Sequence, residues 1–115
     1  MGELFQVQTE QSVTVIEMDL PEQIDSSEFD RLNTALLAML DGKQRAWVID
    51  LTDVDYLGSA MLGLMVNFRQ RVQSVKGRLV LCGVSPKLLE IIQACCLDRL
   101  FPIARSRTEA VKLAR

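Results

Sequence analysis

Residues 46–66 read Ala-Trp-Val-Ile-Asp-Leu-Thr-Asp-Val-Asp-Tyr-Leu-Gly-Ser-Ala-Met-Leu-Gly-Leu-Met-Val. From Ala46 to Leu51 nearly every residue is apolar, the composition of a strand covered on both faces. From Ser59 onward the apolar residues take helical spacing. Met61, Met65, Phe68, Val72 and Val75 form an inward stripe, and Arg69, Gln70, Gln73 and Lys76 a solvated side. Lys76-Gly77 closes this helix, and residues 79–82 supply another short buried strand. Strand, helix, strand in that order demands parallel pairing and a right-handed crossover.

Working outward, residues 4–9 and 13–20 alternate or nearly so, with Phe5, Val7, Val13 and Val15 as strand formers, and a polar turn at 10–12 makes them a hairpin. After the loop at 21–27, Ser27 and Asp30 stand three apart as in a capping box. Phe29, Leu32, Leu36 and Leu40 then recur at helical spacing before a stop at Asp41-Gly42. Downstream, Ser85-Pro86 is a hydroxyl cap followed by proline at the first helical position. Leu88, Ile91, Ile92 and Cys95 give that helix its apolar face, and it is predicted to end near Leu97. Residues 101–103 read as a short extended piece, and Ser106 with Glu109 opens a last helix carrying Ala110, Val111 and Leu113. The expectation is one α/β domain over residues 1–115, a mixed, mostly parallel sheet of about four or five strands with helices packed on it.

The chain has 115 residues, 49% of them hydrophobic and 24% charged, with a formal net charge of −2. A single domain of this size holds a core without disulfides or metals. Its mildly acidic balance gives no electrostatic footprint for nucleic acid, and the arginines at 99, 105, 107 and 115 are scattered among acidic and apolar residues. The start, Met1 to Phe5, lacks a basic and apolar leader, and the longest apolar run, 60–66, is too short to span a bilayer. A cytoplasmic protein is expected. Cys82, Cys95 and Cys96 lack metal or disulfide spacing and read as buried small hydrophobes.

Histidine is absent, which removes the commonest general base, the serine–histidine pair and most catalytic zinc sites. Around Ser59 the sequence Leu57-Gly58-Ser59-Ala60-Met61 lacks the Gly-x-Ser-x-Gly elbow, and Gly58 and Gly63 are wrongly spaced for a phosphate loop or a dinucleotide fingerprint. Neither an enzyme nor a bound cofactor or metal is expected. Ser59 stands instead at a helix mouth, where unpaired main-chain N–H groups tolerate an anion such as a phosphoryl group. A serine N-cap worth about 1 kcal/mol is its purely structural reading.

The segment Gly58-Ser59-Ala60-Met61-Leu62-Gly63, with the strand Val48-Ile49-Asp50-Leu51 and the loop Val54-Asp55-Tyr56-Leu57 before it, resembles the STAS domain family. That family contains the anti-sigma factor antagonists and their relatives, whose helix starts with an Asp-Ser-Ser-Gly-Leu-Gly-like motif. The order of elements agrees over nearly all of the chain. Gly58 stands where the family has an acidic residue, Ala60 where it has a second hydroxyl, and Met61 where glycine is usual. The resemblance implies a regulatory binding module whose partner is an anti-sigma factor acting as a serine kinase. Ser59 would be the phosphoacceptor, with Asp25, Asp55, Tyr56, Leu57, Gly58 and Met61 forming the docking surface, and any ATP would belong to the kinase. The departures at Gly58, Ala60 and Met61 motivate an alternative, a STAS-like scaffold or a subunit of a transporter or signalling complex without phosphoregulation.

Two further expectations concern the surroundings of Ser59. Asp50, Asp53, Asp55 and, through the resemblance, Asp25 would form an acidic rim, against the plainer readings that Asp50 and Asp53 cap or solvate a loop and that Asp25 caps the first helix. Tyr56, Leu57, Met61 and Leu62 would leave an apolar patch suited to docking, against the plainer reading that they belong to the core.

Overall fold

A computed structural model describes residues 4–115. Strands β1 (Phe5–Glu10) and β2 (Val13–Met18) form the antiparallel hairpin, turning at Gln11 and Ser12 with φ of 49° and 70°. Two successive positive φ values give the turn a twist that matches the strands it joins. Helix α1 (Ser26–Met39), strand β3 (Ala46–Asp50), helix α2 (Ser59–Ser74) and strand β4 (Arg78–Cys82) follow. Helix α3 (Pro86–Ala94), a 3-10 turn at Leu97–Arg99 and helix α4 (Arg107–Ala114) complete the chain. Sheet order is β1-β2-β3-β4, with β2, β3 and β4 parallel and β1 antiparallel at one edge. The extended piece at 101–103 contributes one bridge, Ile103 beside Leu81, rather than a fifth strand.

The period-2 alternation of the central strands divides their side chains between two cores. Ile16, Met18, Trp47, Ile49, Leu79 and Leu81 face Leu32 and Leu36 of α1, Met65, Phe68 and Val72 of α2, and Leu88 and Ile92 of α3. Val13, Val15, Val48, Val80 and Cys82 face Ala110, Val111 and Ala114 of α4. β3 is therefore the covered central strand that its apolar run predicts.

Several local expectations are corrected. The cap of α1 is Asp25, whose carboxylate accepts from Glu28 N at 2.7 Å while Glu28 Oε1 accepts from Asp25 N at 3.3 Å. That box lies two residues before the one predicted at Ser27 and Asp30. Helix α3 stops at Ala94, a turn earlier than predicted, because Cys96 enters the left-handed region at φ 58°. Cys95 and Cys96 are consequently exposed, and Cys82 alone is the buried small hydrophobe expected of all three. Val75 and Leu113 fall outside their predicted stripes and are about half exposed, since Val75 lies beyond the last turn of α2 and Ala114 takes the inward place on α4.

Candidate functional site

The β3 strand ends at Asp50, and the loop that follows is tied down before it reaches α2. Asp50 Oδ1 accepts from Thr52 N at 2.9 Å and from Thr52 Oγ1 at 2.5 Å, closing an Asx-type turn, and Val54 N donates to Leu51 O at 3.0 Å. Leu51, Val54 and Leu57 then plug into the core at 2% exposure or less, leaving Asp55 and Tyr56 outside. Every third residue is an anchor, so the loop arrives at α2 in a defined path.

Gly58, not Ser59, is the N-cap of α2, and it offers no side-chain hydrogen bond. Ser59 is the first helical residue. It is exposed, its hydroxyl accepts and donates no hydrogen bond within the described residues, and the first turn contains no acidic side chain. The positive end of the helix dipole is thus uncompensated at an accessible hydroxyl. The loop after β2 lies alongside: Leu20, Pro21, Glu22, Gln23 and Ile24 line one hollow of about 580 Å³ with Tyr56, Gly58, Ser59 and Met61.

The expected acidic rim does not form around this hollow. None of Asp25, Asp50, Asp53 and Asp55 lines it; the carboxylate there is Glu22, which sequence reasoning missed. Asp25 is held at the start of α1 by its capping box, and Asp50, 8% exposed, is committed to Thr52. Asp50 and Asp53 line a different hollow, of about 160 Å³, with Glu17. The expected apolar patch is corrected as well: Leu57, Met61 and Leu62 are 2%, 5% and 7% exposed, and only Tyr56, at 44%, presents a large ring to solvent. The local hydrophobic spacing placed Met61 in the inward stripe, and that reading holds.

A polar centre that the sequence did not single out sits behind Asp50, on the α4 face of the sheet. Arg107, the first residue of α4, pairs with Glu10 at 2.5 Å and Glu17 at 2.6 Å, reaches Asp50 at 3.4 Å and donates to Gln8 Oε1 at 2.8 Å. Partial burial pulls its pKa down, yet the hydrogen bonds it donates to Glu17 and Glu10 carry it above the ordinary guanidinium value. Cys82 beside it is pushed up to about 12 by burial and then by the Asp50 charge, so its thiol stays neutral. The cluster locks β1, β2, β3 and α4 together. Among the described residues no group of acidic or sulfur side chains is arranged to hold a metal, and no helix is long and apolar enough to cross a membrane.

A four-stranded mixed sheet with α4 on one face, and a serine at the mouth of α2 on a loop anchored from β3, defines a STAS fold. The chain belongs to the STAS domain family, whose model matches residues 5–110. It is 32% identical over 87 residues, 76% of this chain and 75% of the relative, to a Bordetella bronchiseptica protein that bears the name anti-sigma factor antagonist BtrV. Among solved structures, an anti-sigma-factor antagonist (STAS) domain protein from Planctomyces limnophilus superposes with a TM-score of 0.83 at 29% identity, covering 96% of this chain and 97% of that one. The phosphorylated form of the Bacillus cell fate determinant SpoIIAA shares the fold, with a TM-score of 0.70 at 19% identity over 96% of this chain and 99% of that one. The chain is therefore an anti-sigma factor antagonist-like STAS domain.

Proposed function

We propose that this chain is a non-enzymatic, cytoplasmic regulatory module that binds an anti-sigma factor of the serine-kinase type and is released by phosphorylation of Ser59. The observation that carries the reading is the exposed Ser59 hydroxyl at the first position of α2, without a hydrogen bond among the described residues, on the rim of a hollow large enough for a partner's side chains. Unphosphorylated, that rim offers Tyr56 and the half-buried Ile24 above a floor that includes Leu20 and Met61, with Asp55 and Gly58 beside them. A phosphoryl group brings roughly −1.5 to −2 charges into this surface. The dipole of α2 accommodates it on this chain, whereas a partner seated on the hollow would have to desolvate it beside Glu22. Release therefore needs no large backbone motion. Leu57 takes no direct part, being core; it fixes the height at which Tyr56 emerges.

The test uses a kinase of the anti-sigma type recovered on this chain from its native cell, with ATP. The expected result is a mass gain of one phosphate that Ser59→Ala abolishes, and a Ser59→Asp chain that binds the kinase at least tenfold more weakly, about 1.4 kcal/mol. No mass gain, or one that survives Ser59→Ala, overturns the phosphoacceptor role. The Gly58 cap, which lacks the acidic side chain of the family motif, favours a second reading: a STAS scaffold without phosphoregulation. That reading requires Ser59→Asp to bind its partner as the unaltered chain does.

A further inference from the structure

β4 closes one side of the sheet, and its outward edge is only half used. Arg78 N donates to Arg45 O at 2.7 Å and Leu51 N donates to Cys82 O at 2.9 Å, so the even-numbered residues of β4 turn their main-chain groups toward β3. Alternation then sends the N–H and C=O of Leu79 and Leu81 outward. Leu81 is satisfied there, its N–H donating to Pro102 O at 2.9 Å and its C=O accepting from Ala104 N at 2.8 Å. Leu79, 5% exposed, has no such partner for either group among the described residues. Main-chain groups left unpaired at a largely covered position carry a free-energy cost that a ligand able to pair them would relieve.

Over this gap opens a hollow of about 580 Å³, lined by Leu79 and Phe101 and by Arg69, Arg78 and Arg99. Arg69 Nε donates to Leu100 O at 2.6 Å and Arg78 Nη1 reaches Leu113 O at 3.4 Å, while Arg99 makes no side-chain hydrogen bond within the described residues. None of the three has a carboxylate within ion-pair distance among those residues, and Asp98, which also lines the hollow, pairs with none of them. Three arginines against one aspartate leave the hollow locally positive, opposite in sign to a chain whose net charge is −2.

We propose that this edge is a second docking site, which takes a short extended segment bearing carboxylates from a protein partner. An isolated anion would satisfy the arginines and the Leu79 N–H but leave the Leu79 C=O unmet. An extended peptide supplies an acceptor and a donor at the spacing of one strand residue, and its acidic side chains reach the guanidinium groups. The bridge between Leu81 and Ile103 limits the added strand to a few residues. The site is separate from the Ser59 hollow: the two share no lining residue, and Arg69 lies ten residues along α2 from Ser59, about 15 Å at 1.5 Å per residue. Both are open to partners at once.

A fluorescein-labelled hexapeptide alternating glutamate and valine, titrated onto the full chain, tests the proposal by anisotropy, with hydrogen exchange of the Leu79 amide followed by NMR. Saturable binding is expected, with slower exchange at Leu79 in the complex. The double variant Arg78→Glu, Arg99→Glu is expected to bind at least tenfold more weakly, and Ser59→Ala as the unaltered chain does. Should the double variant fold poorly, Arg99→Gln, at an exposed side chain without a hydrogen bond among the described residues, is expected to weaken binding at least threefold. Absence of binding, equal binding of the lysine–valine counterpart, or Leu79 exchange unchanged in the complex overturns the proposal. Displacement by equimolar inorganic phosphate or free glutamate overturns it in favour of a small-anion site. Leu79 protection that rises with protein concentration alone overturns it in favour of a second copy of this chain.

Discussion

The loop from Leu51 to Gly58 joins two corners of opposite character. At its start, Asp50 is buried and engaged by Thr52 and Arg107, and the guanidinium of Arg107 reaches across to β1 and β2. At its end, Ser59 is exposed with its hydroxyl unengaged and a glycine for a cap. Both corners are polar and adjacent in sequence, yet one spends its polar groups on holding elements together and the other leaves them available. Polar side chains fully occupied within the fold are explained by stability. A hydroxyl left free beside an open hollow is not.

The contrast breaks most readily at the occupied corner. Cys82 is neutral in the fold up to about 12, against an ordinary thiol value of 9.0. The unfolded chain loses that proton first as pH rises, so folding stability contributed by this group is complete below pH 9 and falls above it, by up to about 1.4 kcal/mol per unit until pH 12. Chemical denaturation between pH 8 and 11 is expected to give a shallower pH slope for Cys82→Ala than for the unaltered chain. Next, Arg107→Met strips the counter-charge from Asp50, Glu17 and Glu10. Because the two glutamates are a third or more exposed and solvent screens them, we expect a loss of about 2 kcal/mol, read as a lower urea midpoint at unchanged slope. Asp25→Ala, which removes one reciprocal cap, is expected to cost about 1 kcal/mol.

At the free corner the expected effects are small and one has the opposite sign. Gly58 has φ of −81° and ψ of 172°, and an added Cβ would meet nothing nearer than the Tyr56 ring at 3.7 Å. Aspartate therefore fits there as an N-cap, and Gly58→Asp is expected to raise stability by about 0.5 kcal/mol. Ser59→Ala is expected to shift the denaturation midpoint by less than about 0.5 kcal/mol, since no hydrogen bond is lost. A loss above 1 kcal/mol for Ser59→Ala would assign the hydroxyl a structural role and erase the contrast.

Local signals in the chain led reliably to local structure. Ser85 does cap α3, accepting from Leu88 N at 3.1 Å ahead of Pro86, and Ser106 caps α4 in the same way at Glu109. The apolar run at 46–51 and the stripe from Met61 to Val72 placed β3 and α2 because burial on one or both faces imposes a period that side-chain order records. Where two cap-forming residues crowd together, as Asp25 and Ser27 do, spacing alone selects badly; the glutamate at position 28, three beyond Asp25, was the signal to follow. Arg107 was invisible because its partners Glu10 and Glu17 lie 97 and 90 residues away, a separation only the sheet and α4 bring together. The resemblance puts Leu57 on a docking surface, whereas a loop threaded over a core buries a residue wherever it dips, as it does at Leu51, Val54 and Leu57.

The chain has one tryptophan, and its ring meets Phe68 of α2 edge to face, centroids 5.3 Å apart and planes at 88°, with the indole N–H unpartnered in the core. Nature has thereby fitted the protein with an optical gauge: emission from Trp47 arises from one dry location, against the very helix whose mouth holds Ser59. Any tilt of α2 on modification or docking registers as a change in colour or lifetime, with no dye attached.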